Sequence, residues 1–488
     1  MNSAAIPAVA ANKKWPRVFT FLALGYITMG RSFAYWGIPP LYLFVGEIFL
    51  AWFLLAGPVT ENGRWPWVAL KSPALLRFKK RLFLFLAFGV FEVIHGILAG
   101  HPPVSALRDL AFNYYPFYFL LGLWVGLQDR TFLRRFIPLA AWVNGIYGVL
   151  FILVLNSLPW FFPGTSQEIT GVPIFGQPEY SAAILIGLVA LEKDWRPHPL
   201  ALFLNGAVLI GMLIRAQWLA FALALAVFAW MVRDKKKVML AAGAVLVPLL
   251  LMYVTDFSIP GPETRGGTIS VRDMVGRAVA PVAPDVAADF TEDAAMNVDT
   301  ATFRTIWWFE IWTNVHEDFS RTLVGYGYGF PLGDLVPYLE DSSTRTPHNA
   351  FFFALGYTGW IGVFIFFAFH LEILRMLWKV YKMTGHSFGI VFWVAEVFYS
   401  LFTAFFEAPY GAIPFYLVTG CACAAYFSAH DRAPDYRPES LLLDNRRGGM
   451  PELTPSKQRS KRLKYGEEND RTPQRLDEFR RVAQHGQR

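Results

Sequence analysis

Long apolar runs decide what this chain can fold into. About twelve of them read as membrane spans, a helical crossing needing roughly 20 residues. Their approximate limits are 18–36, 38–57, 82–100, 108–126, 135–155, 176–191, 199–214, 216–232, 238–255, 349–374, 388–406 and 411–429. In hydrocarbon each backbone N–H and C=O needs an internal partner, so such runs fold as helices. The expectation is an all-α polytopic membrane protein. Composition agrees, since 55% of the 488 residues are hydrophobic and only 17% are charged. Lys13, Lys14 and Arg17 precede the first run and no small-residue cleavage site follows it, so it does not read as a cleaved signal. Arg31 interrupts that run, and Pro39-Pro40 divides it from the second.

Charge gives an independent reading of orientation. With a cytoplasmic N-terminus and alternating spans, the inner loops hold Arg77, Lys79, Lys80 and Arg81; Arg130, Arg134 and Arg135; Lys193 and Arg196; Arg233 and Lys235 to Lys237; and Arg375, Lys379 and Lys382. Short outer loops hold little beyond Arg108 and Arg215. This is the positive-inside pattern, with both termini on the cytoplasmic side. The chain then divides into helices 1–9 (1–255), a large helical outer loop (256–348), helices 10–12 (349–429) and a basic, disordered cytoplasmic tail (430–488). The tail segment Lys457 to Lys464 suits anionic headgroups as well as plain solvation. The net charge of +7 therefore points to the inner membrane surface and not to nucleic acid.

Several classes of chemistry lack their residues. There is no P-loop, dinucleotide Gly-rich turn, HExxH or Asp-x-Asp pair, so neither a metal nor a nucleotide cofactor is expected. Cys421 and Cys423 fall in the last run and point to different helix faces, which disfavours a disulfide or a metal site. No internal repeat is visible, and that disfavours two-fold transporter architectures.

Polar groups in the spans collect toward one side. Arg31, Glu92, His95, Arg108, Asp109, Glu179, Arg215 and Glu407 map to outer halves or ends, while Glu47 and Glu396 lie nearer the middle. A transport path needs polar groups through the whole thickness; a site working on the outer leaflet needs them only there. Arg215 sits in a tight outer turn, Leu213-Ile214-Arg215-Ala216-Gln217-Trp218, where a guanidinium suits a lipid phosphate or pyrophosphate; the alternative is an interfacial anchor. Arg304 lies on a predicted loop helix whose apolar stripe is Phe303, Ile306, Trp307 and Ile311, with tryptophans at headgroup level. The alternative there is a packing helix whose arginine pairs with Glu310 or Asp299. Gly325-Tyr-Gly327-Tyr-Gly329 permits a tight turn and close backbone approach to a ligand. In Thr346-Pro347-His348-Asn349, Thr346 reads as a helix cap, with Pro347 in the first turn. The positive helix end favours a neutral His348 imidazole, able to take a proton from an acceptor hydroxyl. Asn349 would orient it or bind a sugar hydroxyl, and a purely structural His-Asn pair is the competing reading.

These elements together resemble the bacterial O-antigen ligase and O-antigen polymerase superfamily. The resemblance rests on Ile214-Arg215-Ala216-Gln217-Trp218, Phe303-Arg304-Thr-Ile-Trp307, Gly325-x-Gly327-x-Gly329, and Pro347-His348-Asn349 followed by Gly356-x-x-Gly359. Phe175-Gly-Gln177-Pro178-Glu179-Tyr180 looks like the family's turn before a middle span, although Gln177 and Glu179 depart from its usual Asn-Pro-Asn type. The resemblance implies a glycosyltransferase of the C type with a periplasmic site and no metal or nucleotide. The donor would be an undecaprenyl-pyrophosphate-linked glycan and the acceptor lipid A-core or another glycan. Arg215 and Arg304 would bind the pyrophosphate, His348 would activate the acceptor, and Asn349, Glu179 and the three glycines would line the substrate. Ligase and polymerase remain alternatives. A flippase or exporter of lipid-linked sugars, or a non-catalytic assembly partner, is the reading from another class.

Overall fold

A computed structural model describes residues 14–38, 43–60, 75–158, 160, 171–191, 198–261, 268–280, 283–290, 294–336 and 346–430. The described chain is mostly helical. In order the helices are α1 (Lys14–Ala34), α2 (Val45–Thr60), α3 (Leu76–Leu98), α4 (Pro103–Asp109), α5 (Ala111–Tyr114), α6 (Phe117–Gln128), α7 (Phe132–Leu153), α8 (Ser181–Leu191), α9 (Pro199–Gly211), α10 (Arg215–Met231), α11 (Lys235–Val254), α12 (Val271–Val279), α13 (Pro284–Ala288), α14 (Ala294–His316), α15 (Phe319–Val324), α16 (Ala350–Thr384), α17 (Phe388–Tyr399) and α18 (Pro409–His430). Two short antiparallel pairs, Gly37–Ile38 with Leu43–Phe44 and Ile259–Pro260 with Thr268–Ile269, are the strands among the described residues.

Each apolar run in the sequence coincides with a helix or a helical series. Among the described residues, five are long and apolar enough to cross a membrane: α3, the α4–α6 series, α7, α11 and α16. The chain is a helical membrane protein. Differences from the sequence reading have local causes. The run at 108–126 is divided into three pieces, and the last is preceded by Pro116, which lacks the donor a continuous helix needs. The run at 176–191 becomes helical only at Ser181, and the run at 388–406 ends at Tyr399, leaving 400–408 as a loop. Arg31 follows a kink at Gly30, whose φ is 49°. Pro39-Pro40, Lys193, Arg196, Arg345, loop residues 281–282 and 291–293, and tail residues 431–488 lie outside the described residues.

The bundle closes around α6 and α18. Gly122 and Gly126 on α6 face the backbone of Leu417 and Cys421, and Gly420 on α18 faces Phe119, so the two axes approach more closely than side chains would permit. Cys421 and Cys423 are both buried and both free thiols. α3 packs along α16, with Phe85 stacked on Phe369 at 5.4 Å between centroids. The segment after α11 is itself largely helical. Its helix α14 buries Trp307, Ile311 and Val315, whereas Ile306 is 41% exposed, so the packing stripe is displaced from the expected one.

Candidate functional site

At one end of the bundle, chain segments distant in sequence converge on the loop 400–408. Helix α16 begins there. Its N-cap is Asn349, not Thr346: Asn349 Oδ1 accepts from Phe351 N–H at 2.9 Å and Phe352 N–H at 3.2 Å. The reason is geometric, since a capping oxygen must lie beside the first unpaired amides, and those begin at Ala350. The Asn349 amide donates to the Leu401 carbonyl at 2.8 Å, and Ala350 N–H donates to Ser400 at 2.9 Å. The buried Asn349 side chain is thus committed to holding the helix start against the loop.

His348 precedes this cap with a φ of 51°, a region rarely adopted by residues carrying a Cβ. Its neighbours hold it on both sides. Pro347 accepts from Trp308 Nε1 at 2.8 Å, and Trp308 stacks on Phe352 at 5.5 Å. Arg304, one turn before Trp308 on α14, donates to the Phe402 carbonyl at 3.1 Å. Asn349 and Arg304 therefore bond adjacent residues of the same loop, which brings His348 and Arg304 to one place. Both side chains are partly buried.

Arg215 reaches this end of the bundle from another direction. It is the first residue of α10, after Leu213 turns the chain at φ 53°. Its Nη1 donates to the Arg277 carbonyl at 3.2 Å, and Arg277 is buried in an ion pair with Asp273 at 2.7 Å. Gln217, in the first turn of the helix, donates to the Glu179 carbonyl at 2.9 Å. Glu179 lies close enough to Glu396 on α17 for the two carboxyls to repel. Arg215 and Glu179 thus share the α8–α10–α17 junction, linked through Gln217, while His348 and Arg304 share the loop after α17.

The three glycines touch protein. Gly325, Gly327 and Gly329 have φ values of 71°, 79° and 93°, so each needs its residue type. The strap they form lies between helices: Tyr326 N–H donates to Gly356 and Gly327 N–H to Tyr357, each at 3.0 Å, while Tyr328 N–H donates to Glu92 at 3.1 Å. Gly329 N–H donates to Asp109 Oδ2 at 2.8 Å. Gly359, with φ 58°, kinks α16 beside the strap. Tyr328 is fully buried, and burial beside Glu92 and Asp109 pushes its hydroxyl well above the usual tyrosine range.

Three acceptors at this end stand out in the structure. Glu396 Oε2, Glu407 Oε1 and Gln217 Oε1 are buried and make no hydrogen bond among the described residues. Burial, with repulsion from Asp109, pushes the Glu407 carboxyl up to about 7. The sequence shows Glu396 and Glu407 as ionisable residues in or beside apolar runs without assigning them to the site, and nothing local in it announces Gln217 or the backbone carbonyls of Leu401 and Phe402. No group of three or more His, Cys, Asp or Glu with metal-holding geometry occurs among the described residues.

This end of the bundle offers guanidinium groups, an imidazole and unsatisfied acceptor oxygens beside an apolar bundle. Such a set suits a substrate with anionic and hydroxyl-bearing parts. Among curated proteins, none matches this chain. The O-antigen ligase family model matches residues 200–367, a stretch carrying Arg215, Arg304, the glycine strap and His348. Over that stretch the chain is similar to the O-antigen ligase family, whose members are membrane proteins of the glycan ligase or polymerase type.

Proposed function

We propose that this protein transfers a glycan from undecaprenyl pyrophosphate to a hydroxyl of lipid A-core at the periplasmic face of the inner membrane. The observation that carries the reading is the meeting of Arg304 and the His348–Asn349 element on adjacent residues of the 400–408 loop. The family match over 200–367 supports it. So does charge placement: Arg81, Arg375, Lys379 and Lys382 lie at the other end of the bundle, as cytoplasmic basic residues would. In that orientation 256–348 would lie outside.

In the proposed reaction the acceptor oxygen forms a bond to the anomeric carbon as the bond to the pyrophosphate oxygen breaks. Attack opposite the leaving group inverts the centre. His348 takes the acceptor proton. Arg215 and Arg304 offset the negative charge that develops on the pyrophosphate. A guanidinium has five N–H donors in a fixed fork, so anchoring one on a carbonyl fixes its direction and is compatible with binding phosphate oxygens. Metal is not required when cations of this kind neutralise the leaving group.

The test is transfer by purified protein in proteoliposomes, reading released undecaprenyl pyrophosphate. His348→Ala should abolish release while the protein stays folded in the membrane; unchanged transfer removes the assigned base. Wild-type protein that moves lipid-linked glycan without release would be an exporter. In cells, deletion should leave lipid A-core bare with polymer still lipid-linked, whereas core bearing a single repeat would identify a polymerase.

A further inference from the structure

Glu92 and His95 form a dyad at the end of α3, beside the glycine strap, and include none of His348, Arg304 and Arg215. Glu92 is fully buried. Its Oε2 lies 3.0 Å from His95 Nδ1, and its Oε1 has no hydrogen-bond partner among the described residues. The His95 side chain is 28% exposed. With Nδ1 turned to the carboxyl and Gly327 packed beside that nitrogen, the outward edge of the ring carries Nε2.

Proton placement then decides what this edge offers. A carboxylate beside a neutral imidazole would leave a net charge on a fully buried group, the costly arrangement in a low-dielectric interior. Two arrangements avoid that cost. Either a carboxylic acid donates to Nδ1, with the ring proton on Nε2, or a carboxylate accepts from an imidazolium. Both present an N–H at Nε2, so the dyad offers a hydrogen-bond donor to an oxygen ligand.

The surroundings favour an anionic oxygen on an apolar body. His101 lies within electrostatic reach of His95 and meets the Tyr326 carbonyl at 3.0 Å. Arg321 donates to the Tyr326 hydroxyl at 2.8 Å and lies over its ring; Glu317, 3.8 Å from this arginine, offsets part of its charge. On α3 itself the residues flanking His95 are apolar and open: Phe91 is 45% exposed, Ile94 53% and Leu98 82%. Such a surface at the end of a long apolar helix meets lipid chains, with the imidazole at headgroup depth.

We propose that the Glu92–His95 dyad binds a phosphate oxygen of a lipid headgroup whose chains lie along Phe91, Ile94 and Leu98. The site is separate from His348, Arg304 and Arg215 and stands whether or not the glycan-transfer reading does.

The experiment is native mass spectrometry of the full chain released from neutral-detergent micelles. It is titrated with dioleoyl phosphatidate or with dioleoylglycerol, which shares the chains and lacks the phosphate. Wild-type protein should hold one phosphatidate at least about tenfold more tightly than dioleoylglycerol. His95→Phe keeps the ring volume and deletes both nitrogens, and should lose that one bound lipid. Equal retention of the two lipids by wild-type protein, which needs no variant to fold, overturns the proposal, as does undiminished phosphatidate binding by His95→Phe. Complete displacement by millimolar inorganic phosphate rejects the lipid as the source of the phosphate.

Discussion

The two ends of the bundle treat buried glutamates in different ways. At the end where α16 finishes, Glu372 is buried and fully answered: Arg81 approaches it at 3.3 Å, and Arg375 reaches both its oxygens at 3.0 and 3.1 Å. At the end where α16 begins, Arg215 and Arg304 donate to backbone carbonyls. Oxygens of Glu396, Glu407 and Gln217 there go without a hydrogen bond among the described residues. A buried carboxylate between two guanidiniums ties helices together and has little left to offer a ligand. Acceptors buried without donors cost stability, and a fold retains such groups where something that arrives can use them.

The strongest way to break this contrast is at the site end. His348→Ala should lower transfer by about 10²–10⁴-fold, the usual worth of a general base, with the melting temperature nearly unchanged. Arg304→Ala should cost about 10²–10³-fold if it stabilises the leaving pyrophosphate. Loss of activity in step with loss of folded protein would instead make either residue structural. At the other end Glu372→Gln should do the reverse. It leaves Arg81 and Arg375 without their counter-charge and should destabilise by about 2–3 kcal/mol, reduced because both arginines are partly open to solvent. Activity per folded molecule should stay level, measured as turnover normalised to the folded fraction.

Asn349→Ala sharpens the boundary between the two kinds of residue. Loss of a helix cap should cost about 1–2 kcal/mol, seen in thermal unfolding. Because the same side chain holds Leu401, transfer should fall further than stability does. The remaining expected effect is a pH dependence. Glu407 sits at about 7 instead of its ordinary 4.5, so between these values the folded protein holds a proton that the unfolded chain has released. Its contribution to stability is complete below about 4.5, declines as pH rises toward 7 and is flat above. Glu407→Gln should flatten the melting-temperature profile across that window; an unaltered profile would assign the titration elsewhere.

Much of the architecture was legible because bilayer-length apolar runs have few alternatives to helix. Their ends were less so. Tyr399 terminates α17 seven positions before the apolar run does, since hydrophobicity alone does not say where a helix stops and a buried loop begins. In the candidate site, Arg215, Arg304 and His348 stand out by side-chain chemistry. The carbonyls of Leu401 and Phe402 that bring Arg304 and Asn349 together do not, because any residue type supplies a carbonyl. Ile306 shows the same limit: on sequence it shares a stripe with Trp307, yet it faces outward and Trp307 inward. The glycine strap was recognisable as a place of close approach, but what approaches is α3 and α16.

That strap couples three helices largely through main chain. Residues 326–329 are stitched through backbone amides to Gly356 and Tyr357 of α16, to Glu92 of α3 and to Asp109 of α4. Opening on that side would break four bonds in concert and uncover the buried Tyr328. Near His348, α14 is fastened by Arg304 on Phe402 and Trp308 on Pro347, side-chain bonds to carbonyls that water can replace. Three of the strap's four bonds run main chain to main chain, so side-chain substitution can loosen these α14 contacts but leaves those three in place.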